Sequence, residues 1–197
     1  MPRVTDEHRA ARRQQIVLAA ARCVAREGFH KTTMADVIAE AGLSAGAVYG
    51  YFRSKTEIIR AIADLAVGEA AHVIGELAVR EETVTPSDVL TCFVERIDAL
   101  VAETGIDLPR VGVQTWAEAV RDPEVHALAK EKMGALRSSV EEVLRRCQAD
   151  GTFAVDADPH RAAQALFGML PGFVLQRLVL EDVTAESYAQ GFADLTR

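Results

Sequence analysis

The chain has 197 residues, 49% of them hydrophobic and 26% charged. That is enough for one large core or two small ones, in a composition typical of soluble globular proteins. Its longest uncharged run, Ala162 to Gln176, contains Gln164, Pro171 and two glycines and is too short to span a bilayer, so no membrane partner is expected. A net charge of −7 argues at first against nucleic acid, but the charge is uneven. Residues 1–57 hold nine Lys/Arg and six Asp/Glu, a net of +3, and residues 58–197 hold thirteen and twenty-three, a net of −10. A basic head on an acidic body fits DNA binding by the head alone. Met1 is followed by Pro2, Arg3 and an acidic pair, with no apolar signal segment, so a cytoplasmic protein is expected.

The expected class is all-α, with nine helices, because apolar residues recur at three-and-four spacing and no alternating strand stands out. The helices are placed at about 8–27, 34–40, 45–51, 55–79, 86–104, 109–121, 123–149, 159–180 and 185–195. Their starts carry specific chemistry. Thr33 with Asp36, Ser54 with Glu57, and Thr85 with Asp88 have capping-box spacing. Pro86, Pro123 and Pro159 each follow a capping residue, at a first helical position. Gly28, Gly42, Gly105 and Gly151 are placed to end helices. Pro171-Gly172 is expected to kink or divide the eighth helix. The division is a head, residues 1–54, and a body, residues 55–197, with the fourth helix shared.

The stretch Thr32–Lys55 carries the functional signal. It encodes two very short helices joined at Ala41-Gly42-Leu43. Such helices hold only by packing, here Ile16, Ala20 and Val24 against Val37, Ile38, Val48 and Phe52. A short pair with a glycine turn is the helix-turn-helix design, whose second helix enters the major groove near its N-terminus. That helix begins Ser44-Ala45-Gly46-Ala47, nearly bare, so its backbone can approach base edges. The hydroxyls of Tyr49 and Tyr51 are candidates for phosphate, as are Lys55, Thr32 and Thr33 at helix N-termini that already favour anions. Arg3, Arg9, Arg12 and Arg13 are either a wet helix face or a basic arm reaching DNA.

Thr33, Ala41, Gly42, Ser44, Gly46, Tyr49, Phe52 and Lys55 together match the pattern of the TetR family of regulators, which the chain resembles closely over about residues 9–62. It departs at Ala45, where the family often has Lys or Pro, and at Ile38, where it often has Ala. Beyond residue 62 the resemblance is one of length and helical layout.

The resemblance implies a dimer, an operator of double-stranded DNA, and an effector cavity within helices 4 to 8. Phe93, Ile97, Trp116, Met133, Met169 and Phe173 are candidates to line that cavity, with Gln114 and Gln164 giving polar orientation. The effector is expected to be a largely apolar small molecule. Helices 8 and 9 are the candidate homodimer surface, with Ala162, Ala165, Leu166 and Met169 allowing close approach. Cys23, Cys92 and Cys147 read as packed thiols. The five histidines show no metal-ligand spacing, and no cofactor, metal or catalytic residue is expected. Two rivals remain: an all-α enzyme, for which no nucleophile–base pair or phosphate loop is found, and an architectural DNA-binding protein without a ligand. A cavity in the body would separate the sensor from the second rival.

Overall fold

The structure, a computed structural model, describes residues 6–195. Among these residues nine helical elements follow one another with no strand: α1 (Asp6–Lys31), α2 (Met34–Ala41), α3 (Ala45–Tyr51), α4 (Lys55–Val79), α5 (Pro86–Thr104), α6 (Leu108–Ala119), α7 (Pro123–Ala149), α8 (Pro159–Val179) and α9 (Ala185–Leu195). Arg3 lies outside the described residues.

The helix starts follow the sequence chemistry closely. Thr33 and Thr85 close full capping boxes with Asp36 and Asp88. Ser54 closes half of one. Its Oγ accepts from the Glu57 N–H at 3.2 Å, but the Glu57 carboxylate accepts from the Arg53 N–H at 2.6 Å instead. Asp122 and Asp158 cap the proline-led α7 and α8. Asp107 caps α6 through the Arg110 N–H at 3.0 Å, a start that the sequence reading had not singled out.

Two expectations need refining. Gly28 ends the first helical stretch of α1, as expected, but the chain turns there and does not leave the helix for good. It takes φ 77°, ψ 165°, a conformation open to glycine, and helix resumes beyond it to Lys31. The chain resumes because Phe29 is drawn into the core, 2% exposed, and the N–H and Oγ of Thr32 both bond the Gly28 carbonyl, at 3.2 and 2.8 Å. The second correction is that Pro171 does not divide α8. It withholds only the hydrogen bond that the Phe167 carbonyl would have received. The resulting helix of 21 residues is long and apolar enough to cross a membrane by length and composition. It is nonetheless built into the protein, with Ala163, Leu166, Phe173 and Val174 buried.

Three apolar clusters hold the molecule. The first joins Ile16, Ala20 and Val24 to Val37, Val48 and Phe52, as expected, with Ile38 packed beside them. It does not stop at residue 54. Ile58, Ile59 and Ile62 of α4 belong to it, and so do Ile106, Val111, Ala119 and Val125 from around α6 and the start of α7. The second cluster binds α4, α5, α7 and α8 around Leu77, Phe93, Val140 and Leu144. The third joins α5, α8 and α9 around Leu90, Val94, Phe173 and Ala189, with Val113 and Trp116 of α6 against it. Helix α6 thus serves both halves. Cys23 and Cys147 are buried and Cys92 half-buried, all free, and burial pushes each thiol above its ordinary range.

Candidate nucleic-acid interface

The turn between α2 and α3 is closed by backbone hydrogen bonds and held from α1, where Gln15 Nε2 donates to the Ala41 carbonyl at 2.8 Å. Gly42 is left-handed, φ 64°, ψ 31°. Its N–H bonds the Ala39 carbonyl at 3.2 Å and the Leu43 N–H bonds that of Ile38 at 3.4 Å, the paired closure of a Schellman motif. Two residues later Ser44 Oγ accepts from the Ala47 N–H at 3.2 Å and starts α3. Seven residues cannot hold a helix unaided. Val48, fully buried, and Phe52, 2% exposed, anchor it. Arg13 of α1 stands over the Phe52 ring at 5.2 Å, within cation–π range.

This anchoring turns the other face outward. Ser44, Ala45, Gly46, Tyr49 and Gly50 are exposed, and Ala47 is half-buried. A Cβ on Gly46 would meet nothing within 4 Å, so packing does not require glycine there. Tyr51 packs its ring against the head core. Lys55 opens α4, and with Thr33 it lines a small cleft shared with Val24, Phe29, Met34 and Ile58. The N-termini of α2 and α4 therefore lie side by side.

Thr32 does not belong to this surface. It is 4% exposed and its hydroxyl is spent on Gly28. Thr33 is exposed. Its hydroxyl donates to Asp36 Oδ2 at 2.7 Å and accepts from the Asp36 N–H at 3.2 Å. The Thr33 hydroxyl and then the Thr33 backbone N–H, which donates to the same Oδ2 at 2.8 Å, hold the Asp36 carboxyl below the usual carboxylate range. Arg9, Arg12 and Arg13 lie within α1, with Arg12 bonded to Gln15 at 2.8 Å, so they form a helix face and not an arm. Arg53, exposed two residues before Lys55, had not been singled out. A second basic residue next to the matched lysine was the available signal.

The candidate effector residues divide. Ile97, Trp116, Met169 and Phe173 fall in the third cluster, whereas Phe93 falls in the second. Met133 is half-buried on α7. Gln114 faces the head–body seam: its Oε1 lies 3.2 Å from where a Gly28 Cβ would sit. Nearby, His30 and Glu118 stand 3.3 Å apart. Gln164 is exposed and meets His160 at 3.0 Å, so it orients nothing inside. The hollows that stand out, the cleft beside Lys55 and an open groove lined by Gln14, Leu18, Arg22 and Glu40, both belong to the head.

The α8 surface is also redrawn. Leu166 is 4% exposed and buried in its own chain, and Ala162 packs inward beside it. Met169 packs into the third cluster. Of the expected residues only Ala165 faces out. It continues along the helix as Gly168, Leu175 and Val179, of which Leu175 is 47% and Val179 73% exposed, whereas Gly172 faces Tyr188 of its own chain, whose hydroxyl lies 3.0 Å from where a Cβ would sit.

Comparison with known proteins agrees with this geometry. Residues 16–62 match the model of bacterial regulatory proteins of the tetR family, and residues 94–195 that of the BetI-type transcriptional repressor C-terminal domain. The transcriptional regulator UidR of Escherichia coli K12 is 30% identical over 91% of this chain and 88% of its own length. YfiR of Bacillus subtilis is 40% identical, over 39% of this chain and 38% of that protein. Two solved structures share the fold. A Saccharomonospora viridis regulator in complex with choline gives a TM-score of 0.72 at 22% identity, over 94% of this chain and 95% of that one. FadR of Bacillus subtilis in complex with stearoyl-CoA gives 0.74 at 19%, over 93% and 96%. With the bare start of α3 exposed in the head, and with matches across both halves, the chain belongs to the TetR family of DNA-binding transcriptional regulators.

Proposed function

We propose that the chain is a cytoplasmic homodimeric repressor that leaves a palindromic operator when a small molecule enters its body. The observation that carries the DNA reading is the first turn of α3: Ala45 and Gly46 are exposed and nearly without side chains, on a helix fixed from behind by Val48 and Phe52. In this reading Ala45, Gly46 and Ala47 approach base edges, and Ser44, Tyr49, Lys55, Thr33 and Arg53 hold phosphates. Tyr51 contributes only its hydroxyl, its ring being packed inward.

The dimer reading rests on α8. Ala165, Gly168, Leu175 and Val179, at steps of three, seven and four residues, share one exposed face, the spacing of a helix–helix seam. Small residues along it permit close approach of a second copy. The apolar 18-residue window of this helix is only 22% buried within one chain, which leaves area for that copy to cover.

Ligand control would run through α4 and α6. Helix α4 is tied to the body by Asp64–Lys132 at 3.1 Å and Glu69–Arg96 at 2.7 Å. Its end is held by Arg146, which donates to the Leu77 and Arg80 carbonyls at 3.1 and 2.7 Å. Helix α6 lays Val111 and Ala119 on the head core and Trp116 on the third cluster. A ligand that favours one arrangement of α5 and α8 would move both helices through its differential affinity for the two states. The choline and stearoyl-CoA complexes of the structural neighbours support a ligand of some kind. They are chemically so unlike that the class must come from this chain's own residues.

Selection of duplexes from a random pool by the purified protein tests the reading. An inverted repeat with half-sites about one helical turn apart, roughly 34 Å or somewhat more, is expected. Enrichment of no sequence overturns the DNA reading, and enrichment of a site without two-fold symmetry overturns the dimer.

A further inference from the structure

The third cluster is apolar except at one place. Asp98, next to Ile97 on α5, forms an ion pair with Arg177 on α8. The contacting atoms, Asp98 Oδ1 and Arg177 Nη1, are cut off from solvent. The Arg177 guanidinium stands 5.9 Å from the centroid of the Phe173 ring, and the Tyr188 ring lies tilted against Phe173, with centroids 5.3 Å apart and planes at 50°. A carboxylate and an aromatic face around one cation are the two elements that recognise an organic ammonium. Here the chain's own arginine takes that position.

The two side chains remain partly exposed, 31% for Arg177 and 38% for Asp98, and a pair of that kind contributes little to a fold, so folding alone accounts for little of the charges. The two partners also differ in freedom. Arg177 is long, 31% exposed over its whole side chain, and stands in the last turn of α8, from which it can swing into water. Asp98 is short and set in the body of α5, more than a turn from either end, and cannot withdraw without moving the helix. What is left when Arg177 leaves is a carboxylate beside Phe173, in a body whose net charge of −10 draws cations.

We infer that the Asp98–Phe173 site binds an organic cation with an apolar tail, which displaces Arg177 and lays its tail among Ile97, Trp116 and Met169. The inference rests on the reading of the chain as ligand-controlled, and it names the ligand's class. Displacement frees the last turn of α8, next to Leu175 and Val179 of the seam, which links the site to dimer geometry.

Trp116 is the single tryptophan, so its fluorescence reports on the site. The test titrates the full chain with hexyltrimethylammonium, hexanoate and hexanol, and follows operator retention in parallel. Saturable change with the cation alone is expected. Arg177→Met, which removes the competitor, is expected to tighten the cation at least threefold. Asp98→Asn is expected to weaken it at least tenfold. Because Asp98→Asn leaves Arg177 without its carboxylate, the double variant Asp98→Asn/Arg177→Met, free of both charges, is the folded control and loses the cation too. Hexanoate or hexanol binding as tightly as the cation overturns the inference, as does an unchanged affinity in the double variant, or no response to the cation in wild type and Arg177→Met. If hexanoate or hexanol releases the operator, the cation is overturned and ligand control stands. If the cation binds at Asp98 without altering operator retention, the site stands and ligand control falls.

Discussion

The head and the body solve opposite problems. The head must hold two helices of eight and seven residues while leaving most of α3 uncovered. It does so with side-chain caps at Thr33 and Ser44, a backbone closure at Gly42, and a few anchors driven in from one side. The body has long helices that need no such closure along their length, and its candidate function lies where they meet. Exposure marks the candidate DNA surface in the head, whereas along α8 of the body it marks the face proposed for a second copy. The boundary between them is not where the charge changes sign. The head core continues through Ile58, Ile62, Ile106 and Val111, so head and body share a cluster that motion of α4 or α6 must disturb.

The sharpest way to separate the halves is to empty one. Leu144 is fully buried in the second cluster, which contains no residue of α1, α2 or α3. Leu144→Ala is expected to cost about 2–5 kcal/mol. Chemical denaturation should show that loss, and operator affinity per folded dimer should be unchanged. An affinity that falls with stability would mean that the halves act as one body. The converse variant is Ala47→Asp. An acid in the first turn suits a helix N-terminus, so melting should be unaltered, while a carboxylate among phosphates and base edges should lower operator affinity at least about 100-fold, roughly 2.7 kcal/mol. Normal affinity would put the wrong helix in the groove.

Two glycines refine the comparison. Gly28 holds a backbone geometry hostile to other residues and lies against Gln114. Gly28→Ala should therefore destabilise by about 1–3 kcal/mol. Gly46 sits in a helix with open space around it, so Gly46→Ala should stabilise by up to about 0.5–1 kcal/mol and yet weaken operator binding. Thermal melts beside binding isotherms check both. A Gly46→Ala protein that binds as before would show that the bareness of α3 is incidental.

What could be read from the sequence follows the same divide. Caps and turns are local: Thr33 with Asp36, Thr85 with Asp88, Gly42 and the three helix-opening prolines act on residues within a turn or so of themselves, and they define the helices almost unaided. Tyr49, Lys55 and the small residues of α3 were legible for the same reason. Placement that depends on distant partners was not. Thr32 looks like Thr33 until Gly28 claims its hydroxyl. Gln114 and Gln164 look like pocket residues until α6 turns one to the seam and α8 turns the other to solvent. Leu166 and Ala165 are neighbours in sequence, and only the packing of α8 on α7 decides which is buried. Both patterns are helical at that spacing, so the choice of face is a tertiary fact.

The smallest effect concerns the local chemistry itself. Asp36 is held ionised by Thr33, whose side chain and backbone both donate to it. Its folded pKa therefore lies below the unfolded value of about 3.9. Such a group adds stability that is fully present above the unfolded value and is lost as pH falls through the folded one. Acid melts of the wild type between pH 5 and 3 should accordingly steepen toward the lower end. Asp36→Asn keeps an acceptor for Thr33 but cannot titrate, so its melting temperature should fall less over that interval. Equal slopes would mean that the box at α2 adds nothing beyond its neutral hydrogen bonds. The fixed entry of the head into DNA would then rest on Val48, Phe52 and the Gly42 turn alone.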